Sequence, residues 1–438
     1  MRDLFVTVVV FGLLPVILSK PYVGIYLWSW LGYMNPHRLT WGFAYDFPFA
    51  FVVGIVTMAA VLFSREPKRM PWTRESIVLL LLILWMLVTT IFSLHPQAAW
   101  LQMEKVAKIQ LMIFLTMMLI NTREKLEMLV LVIALSLGFY GIKGGIFTIV
   151  HGGVYRVQGP YGTFIGGNNE MALALIMTIP LLWYLHLNAK KIWMRHAYTA
   201  AVFLCAIAVI GSQSRGALVG GLAMGGFLWL KTRNKMFTGL IMALAVAAIL
   251  AIMPAQWHER MSTIDTYQTD ASAQGRINAW WMAFNLSKDR PLVGGGFEAF
   301  QPDAFKLYAP DPLNVHEAHS IYFEVLGEHG FVGFGLFMLL AWLTWRKGAQ
   351  IIRQTGKDPE RKWAADLARM LQVSMIGFAS AGAFLGLANF DLYYHLIAMM
   401  VVTGVLVLKQ TAPAGTLQAR SALHAPQAFV RRSNARRG

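Results

Sequence analysis

Apolar stretches of roughly 17 to 25 residues, each long enough to cross the hydrocarbon of a bilayer as a helix, recur along most of this chain. With 57% hydrophobic and 14% charged residues and a mean hydropathy of +0.52, an ordinary soluble globule is excluded. The expected fold is all-α and polytopic, with about twelve transmembrane helices and one large extracytoplasmic loop containing short helices. Spans are predicted near Leu4 to Leu18, Phe47 to Phe63, Ser76 to Phe92, Ala98 to Ile120, Leu126 to Val150, Asn169 to Leu187, His196 to Gly211, Arg215 to Leu230, Phe237 to Met253, Ser320 to Trp345, Met370 to Leu387 and Tyr393 to Leu408.

Basic residues alternate from one connection to the next, which orients such a bundle by the positive-inside rule. Arg65 to Arg74, Arg123 with Lys125, Lys190 to Arg195, Lys231 to Lys235 and Arg346 to Arg369 mark every second connection as cytoplasmic. By the same rule Met1 to Asp3 is expected to be cytoplasmic, so that a single crossing precedes Asn35 and both chain ends share one side. The stretch Tyr22 to Met34, with Tyr22, Tyr26, Trp28, Trp30 and Tyr33, is then expected at the membrane interface, where amphipathic rings settle. Residues 1–408 read as one integral membrane domain, interrupted by the loop 254–319, and 409–438 as a disordered basic cytoplasmic tail. No small-residue cleavage site follows the first apolar run, which reads as a retained anchor. The formal charge of +16 is accounted for by loop topology and attraction to anionic membrane lipids, without nucleic acid. The single Cys205 excludes an intrachain disulfide.

Within the long loop, Ile277 to Leu286, with Trp280, Trp281 and Phe284, reads as an amphipathic helix on the bilayer surface. Several cations on this side are unexplained by topology. Arg156 lies in a Gly-rich approach to Asn169, Arg215 in a very tight connection between two spans, and Arg276 just before the amphipathic stretch; Arg260 is another. An intramembrane charge marks a functional site by default. Lys105 and Lys108 fall roughly 10 and 15 Å inside their span at 1.5 Å per residue. They read either as a cationic lining for an anion or, through Glu104 and Lys108 at i,i+4, as a local ion pair. Lys143, among glycines, raises the same question.

Fixed cations without a carboxylate cluster suit a polyvalent anion such as a lipid diphosphate, whose oxygens an arginine fork matches in pairs. At an effective dielectric near 20, each cation about 4 Å from a phosphate charge contributes on the order of 4 kcal/mol before desolvation. His316 and His319 lie three positions apart at the predicted helix mouth, where a shared helix face would let one take a proton and the other orient. His-Glu-Ala-His is not a zinc spacing, and neither a metal nor a cofactor is expected. His329 reads as a packing histidine.

Three motifs resemble the O-antigen ligase and polymerase superfamily of bacterial membrane enzymes. They are Arg156-Val157-Gln158-Gly159 with Asn169-Glu170-Met171-Ala172; Ser214-Arg215-Gly216-Ala217; and Pro291-Leu292-Val293-Gly294-Gly295-Gly296 with His319-Ser320-Ile321-Tyr322, where Ser320 replaces the family's asparagine. The likeness runs from about Ser76 to Leu408. It implies an inner-membrane, metal-independent, inverting transferase with a periplasmic site, moving a glycan from undecaprenyl diphosphate to an acceptor. By this likeness His319 is the base, Arg215 and Arg276 hold the diphosphate, and Arg156 lies nearby. Lipid A-core oligosaccharide is the expected acceptor; a protein hydroxyl or a growing glycan would make the chain an O-glycosylation ligase or a polymerase. From another class, the same cations would line the path of a lipid-linked sugar transporter.

Overall fold

The computed structural model describes residues 1–231, 271–408 and several positions between 234 and 257. Arg260, most of the expected span Phe237 to Met253 and the basic tail from Lys409 lie outside the described residues. The protein is all-helical, with 76% helix and no strand among the described residues.

The helices in chain order are α1 Arg2–Ser19, α2 Pro21–Met34, α3 Phe49–Phe63, α4 Arg74–Ile91, α5 Pro96–Leu119, α6 Arg123–Val150, α7 Asn168–Asn188, α8 Ile192–Gly211, α9 Arg215–Lys231, α10 Ala271–Asp289, α11 Pro302–Tyr308, α12 Ile321–Thr355, α13 Lys362–Ala381 and α14 Asp391–Leu408. Among the described residues eight of these are long and apolar enough to cross a membrane. The other four of the twelve expected crossings are not among these eight. α3 and α9 are shorter apolar helices, α5 carries Glu104, Lys105 and Lys108 along its length, and the fourth is the largely undescribed segment.

The amino-terminal topology differs from expectation. α1 ends at Lys20, and Pro21, at the first position of α2, begins the return. Arg2 Nη1 donates to Leu39 O at 3.1 Å, and Gly42 and Ala44 N–H donate to Asp3 Oδ1 at 3.0 and 3.2 Å. The start of α1 therefore lies beside the segment that follows α2. At the other end of α2, Tyr26 donates to Lys125 O at 2.9 Å, and Lys125 pairs with Glu66 at 2.9 Å. α1 and α2 thus run in opposite directions between the same two ends, and Asp3 sits away from the basic Lys125 end. Leu408 closes a helix whose Gly404 packs on Lys347, itself paired with Glu75 at 2.8 Å at the basic end. The two ends of the described chain are therefore on opposite sides, not one. Two of the rings of α2 pack inside the bundle rather than at an interface: Tyr33 is buried and hydrogen-bonded to His395 Nδ1 at 2.7 Å, and Trp28 stacks on that imidazole.

Small residues let α6 approach α8 closely. A Cβ on Gly141 would lie 2.2 Å from Cys205 Sγ, and one on Gly145 2.3 Å from Leu204 O. α7 and α9 both pack on α13, while α12 packs against α4, α10, α13 and α14.

Helix α12 breaks at Gly330, whose φ of 65° and ψ of −171° belong essentially to glycine. The break frees carbonyls that a straight helix would use internally. The glycine run supplies their donors: Gly295 N–H reaches Gly327 O and Gly296 N–H reaches Glu328 O, each at 2.8 Å, while Phe331 N–H returns to Pro291 O at 2.9 Å. A Cβ on Gly330 would sit 2.4 Å from Leu292 O. Gly330→Ala is expected to destabilise the fold by about 1–3 kcal/mol, read as a lower thermal unfolding midpoint in detergent; an unchanged midpoint would show the break to be unstrained.

Candidate active site

Helix α12 begins at Ile321, and its N-cap Ser320 is extended, with φ −158° and ψ 121°. His316 and His319 therefore precede the helix and share no helix face, contrary to the spacing argument. His319 has φ 41°, a left-handed conformation rare outside glycine, which costs a residue of its kind of order 1–3 kcal/mol.

Side chains from α10 hold this strained approach. Asn278 donates to the carbonyls of Asp311 and Asn314 at 2.8 and 2.9 Å and accepts the Asp311 N–H at 2.9 Å. Trp280 donates its indole N–H to Ala318 O at 2.8 Å and stacks on Phe323, with ring centroids 5.0 Å apart. The aromatic stretch expected on the bilayer surface is thus divided: Trp281 is exposed, whereas Trp280 braces the residue just before His319. Trp280→Phe, which keeps the ring and loses the donor, is expected to cost about 0.5–1.5 kcal/mol. The corresponding few-fold loss should appear in kcat; a change in KM alone would place Trp280 on a substrate surface.

His316 lies over Gly275, where an added Cβ would fall 2.2 Å from its Cδ2, so the imidazole packs against the backbone that carries Arg276. Burial is the main cause of a His319 basicity below that of an ordinary imidazole; Glu317 and Glu170 oppose the shift, while Arg276 and His316 add to it. Carboxylates therefore do act at the site. Glu170 comes from the first turn of α7, and Glu324 Oε2 accepts the Ala388 N–H at 3.2 Å; the spacing gave neither a role.

Arg215 is the first residue of α9, at an elbow where Gln213 has φ 56°. Three long-range contacts fix that elbow: Gln213 Nε2 donates to Gly153 O at 3.0 Å, Val157 N–H to Gly211 O at 3.0 Å, and Asn168 Nδ2 to Ser212 O at 2.8 Å. Asn168 thus ties α7 to the elbow. Gly216 packs against Phe384, and the adjoining Gly382 against Ile321, two residues beyond His319. From there Gly386 continues against the His319 backbone, a Cβ on it lying 3.6 Å from His319 N. The segment from Gly382 to Gly386 thus joins the arginine elbow to the histidine.

The remaining expected residues divide. Arg156 and Lys143 line one cavity of about 390 Å³. Lys105 lines another of about 400 Å³ with Arg38, His37 and Asp391. Lys108 joins neither lining; it pairs with Glu104 one turn away and lies over the Phe51 ring. His329 is buried, hydrogen-bonded to Thr89 Oγ1 at 2.8 Å, and packs as expected.

A strained imidazole near Arg276, carried by a helical bundle with eight membrane-length helices among the described residues, fits a multi-pass membrane protein with a polar site. Residues 200–338, which hold Arg215, Arg276, His316 and His319, match the family model described as O-Antigen ligase, which supports the O-antigen ligase superfamily for that segment. Members of this family are glycosyltransferase-like enzymes, ligases or polymerases, acting on lipid-linked glycans. Residues 1–191, with Arg38, Lys105, Arg156 and Asn169, match a Family of unknown function (DUF5935). The ligase match is thus narrower than the expected stretch from Ser76 to Leu408. No curated protein matches the chain.

Proposed function

We propose that the protein transfers a glycan from undecaprenyl diphosphate to lipid A-core oligosaccharide, at the membrane face opposite the basic loops, the periplasmic one. Neutral His319 accepts the proton of an acceptor hydroxyl as its oxygen attacks the anomeric carbon of the donor. The bond from that carbon to the diphosphate breaks on the opposite side, and the leaving group departs with the electron pair, inverting the centre. Arg215 and Arg276 take up the developing phosphate charge as planar, paired donors, with Arg156 next to the elbow that presents Arg215. His316, packed over Gly275, keeps the Arg276 backbone and the histidine loop in register.

The observation that carries this reading is the strained, weakly basic His319 set among Arg276, His316 and Glu170 within the family-matching segment. The test is reconstitution with purified undecaprenyl diphosphate-linked glycan and separate acceptors. Glycan appearing on lipid A-core is the expected result. Lengthened undecaprenyl-linked chains would make the protein a polymerase, transfer to a protein hydroxyl would make it an O-glycosylation ligase, and movement of donor across the bilayer with no glycosidic bond formed would make it a transporter.

A further inference from the structure

The cavity beside α5 has a makeup that the donor diphosphate does not use. Lys105 projects from the third turn of α5, and among the described residues it has no ion-pair partner. Lys105 is exposed on that helix, so its ammonium can meet an anion entering the cavity. Arg38 is held ready on the neighbouring wall, paired with Asp46 at 3.2 Å and lying 4.6 Å from the Tyr45 ring centroid. Burial and the adjacent Arg38 lower the His37 pKa to about 4, so its ring is a neutral hydrogen-bonding group at the cavity edge.

Asp391, 8% exposed, lines the same space. A carboxylate suits sugar hydroxyls as donors and does not suit a bare phosphate. Cations and a buried carboxylate in one lining therefore match a ligand with both an anionic group and hydroxyls. The volume of about 400 Å³ falls in the range of small-molecule sites.

Position relates the cavity to the reaction. Gly386 packs on the His319 backbone, and Asp391 lies five residues farther along, so the extended chain bounds their separation at about 17 Å. The turn at Gly162 and Thr163 on the cavity wall leads within a few residues to Glu170, which acts on His319. A short oligosaccharide spans such a distance.

We infer that the cavity lined by Arg38, Lys105, His37 and Asp391 is an acceptor subsite that takes a phosphate-bearing sugar, phosphate toward Lys105 and Arg38 and hydroxyls toward Asp391. This rests on the glycan-transfer reading and adds to it a reason for choosing among acceptors: a phosphorylated core oligosaccharide fits, whereas a protein hydroxyl offers nothing for these cations.

The test uses the full-length protein in nanodiscs of neutral phospholipid, titrated with core oligosaccharide released from lipopolysaccharide, either with its phosphates or after they are removed. The wild-type protein is expected to bind the phosphorylated form at least 10-fold more tightly. Lys105→Gln and Arg38→Gln should abolish that preference while leaving the affinity for undecaprenyl diphosphate unchanged, and Lys105→Arg should restore it, which also shows that the position tolerates substitution. His319→Ala should retain the preference although it transfers nothing. Equal wild-type affinity for the two oligosaccharides would overturn the subsite, as would equal competition by phosphatidylglycerol. Weakened undecaprenyl diphosphate binding by Lys105→Gln would instead assign the cavity to the donor. A His319→Ala protein that transfers at the wild-type rate would overturn the catalytic reading and leave the oligosaccharide preference to be judged on its own.

Discussion

Replacing His319 with alanine is expected to lower turnover by about 10²–10⁴-fold, the range of a positioned general base, with little change in donor affinity because the arginines remain. The pH profile of the wild-type protein gives an independent check. A base works only while neutral, and burial holds the His319 imidazole below its ordinary basicity. The rate should therefore rise with pH along a limb whose midpoint lies below 6.5, the usual histidine value, and be lost as pH falls through that midpoint. His319→Ala should flatten this limb. A limb that persists in the variant belongs to another group. Near-normal turnover by the variant would remove His319 from the chemistry.

The second large effect is expected from Arg215→Lys. Charge is conserved, but the planar fork that meets two phosphate oxygens at once is not. Loss of one charged hydrogen bond is worth about 1.5–3 kcal/mol, so kcat should fall by roughly 10- to 100-fold, with a smaller change in KM because the charge that attracts the donor is still present. Single-turnover kinetics with a labelled lipid-linked glycan would separate the two. Full activity would mean that Arg215 contributes only a field.

Much of the bundle was legible because membrane helices declare themselves by length and apolarity alone: α4, α6, α7 and α8 begin and end within a few residues of where the apolar runs suggest. The direction of the first two helices was not legible. Lys20 is the only basic residue in the reversal between them, and the Asp3 contacts that pair the start of α1 with residues 42 and 44 join parts of the chain about forty positions apart. Arg38 went unremarked for a different reason. Next to Asn35-Pro36 it reads as an ordinary turn residue, and only the approach of α5, α14 and the Gly162 turn shows that it faces a cavity.

The site was partly legible. Arg215, Arg276 and His319 stood out because charge and imidazole are costly at the edge of an apolar run, and the fold links all three through the Gly382 to Gly386 segment and the start of α10. The shared helix face expected of the two histidines failed at one residue: Ser320 caps α12 in an extended conformation, so the helix starts too late to include them. Glu170 and Glu324 could not be tied to His319 from spacing, since one arrives from α7 and the other through contact with Gly386 and Ala388.

The reversal at Lys20 has a practical corollary for anyone handling the protein. Since the first helix starts at the end opposite the basic loops and the last described one finishes at the basic end, reporters fused at these two points should light up in different compartments: an export-dependent phosphatase active ahead of Met1, and a fluorescent protein that folds only in the cytoplasm active behind Leu408.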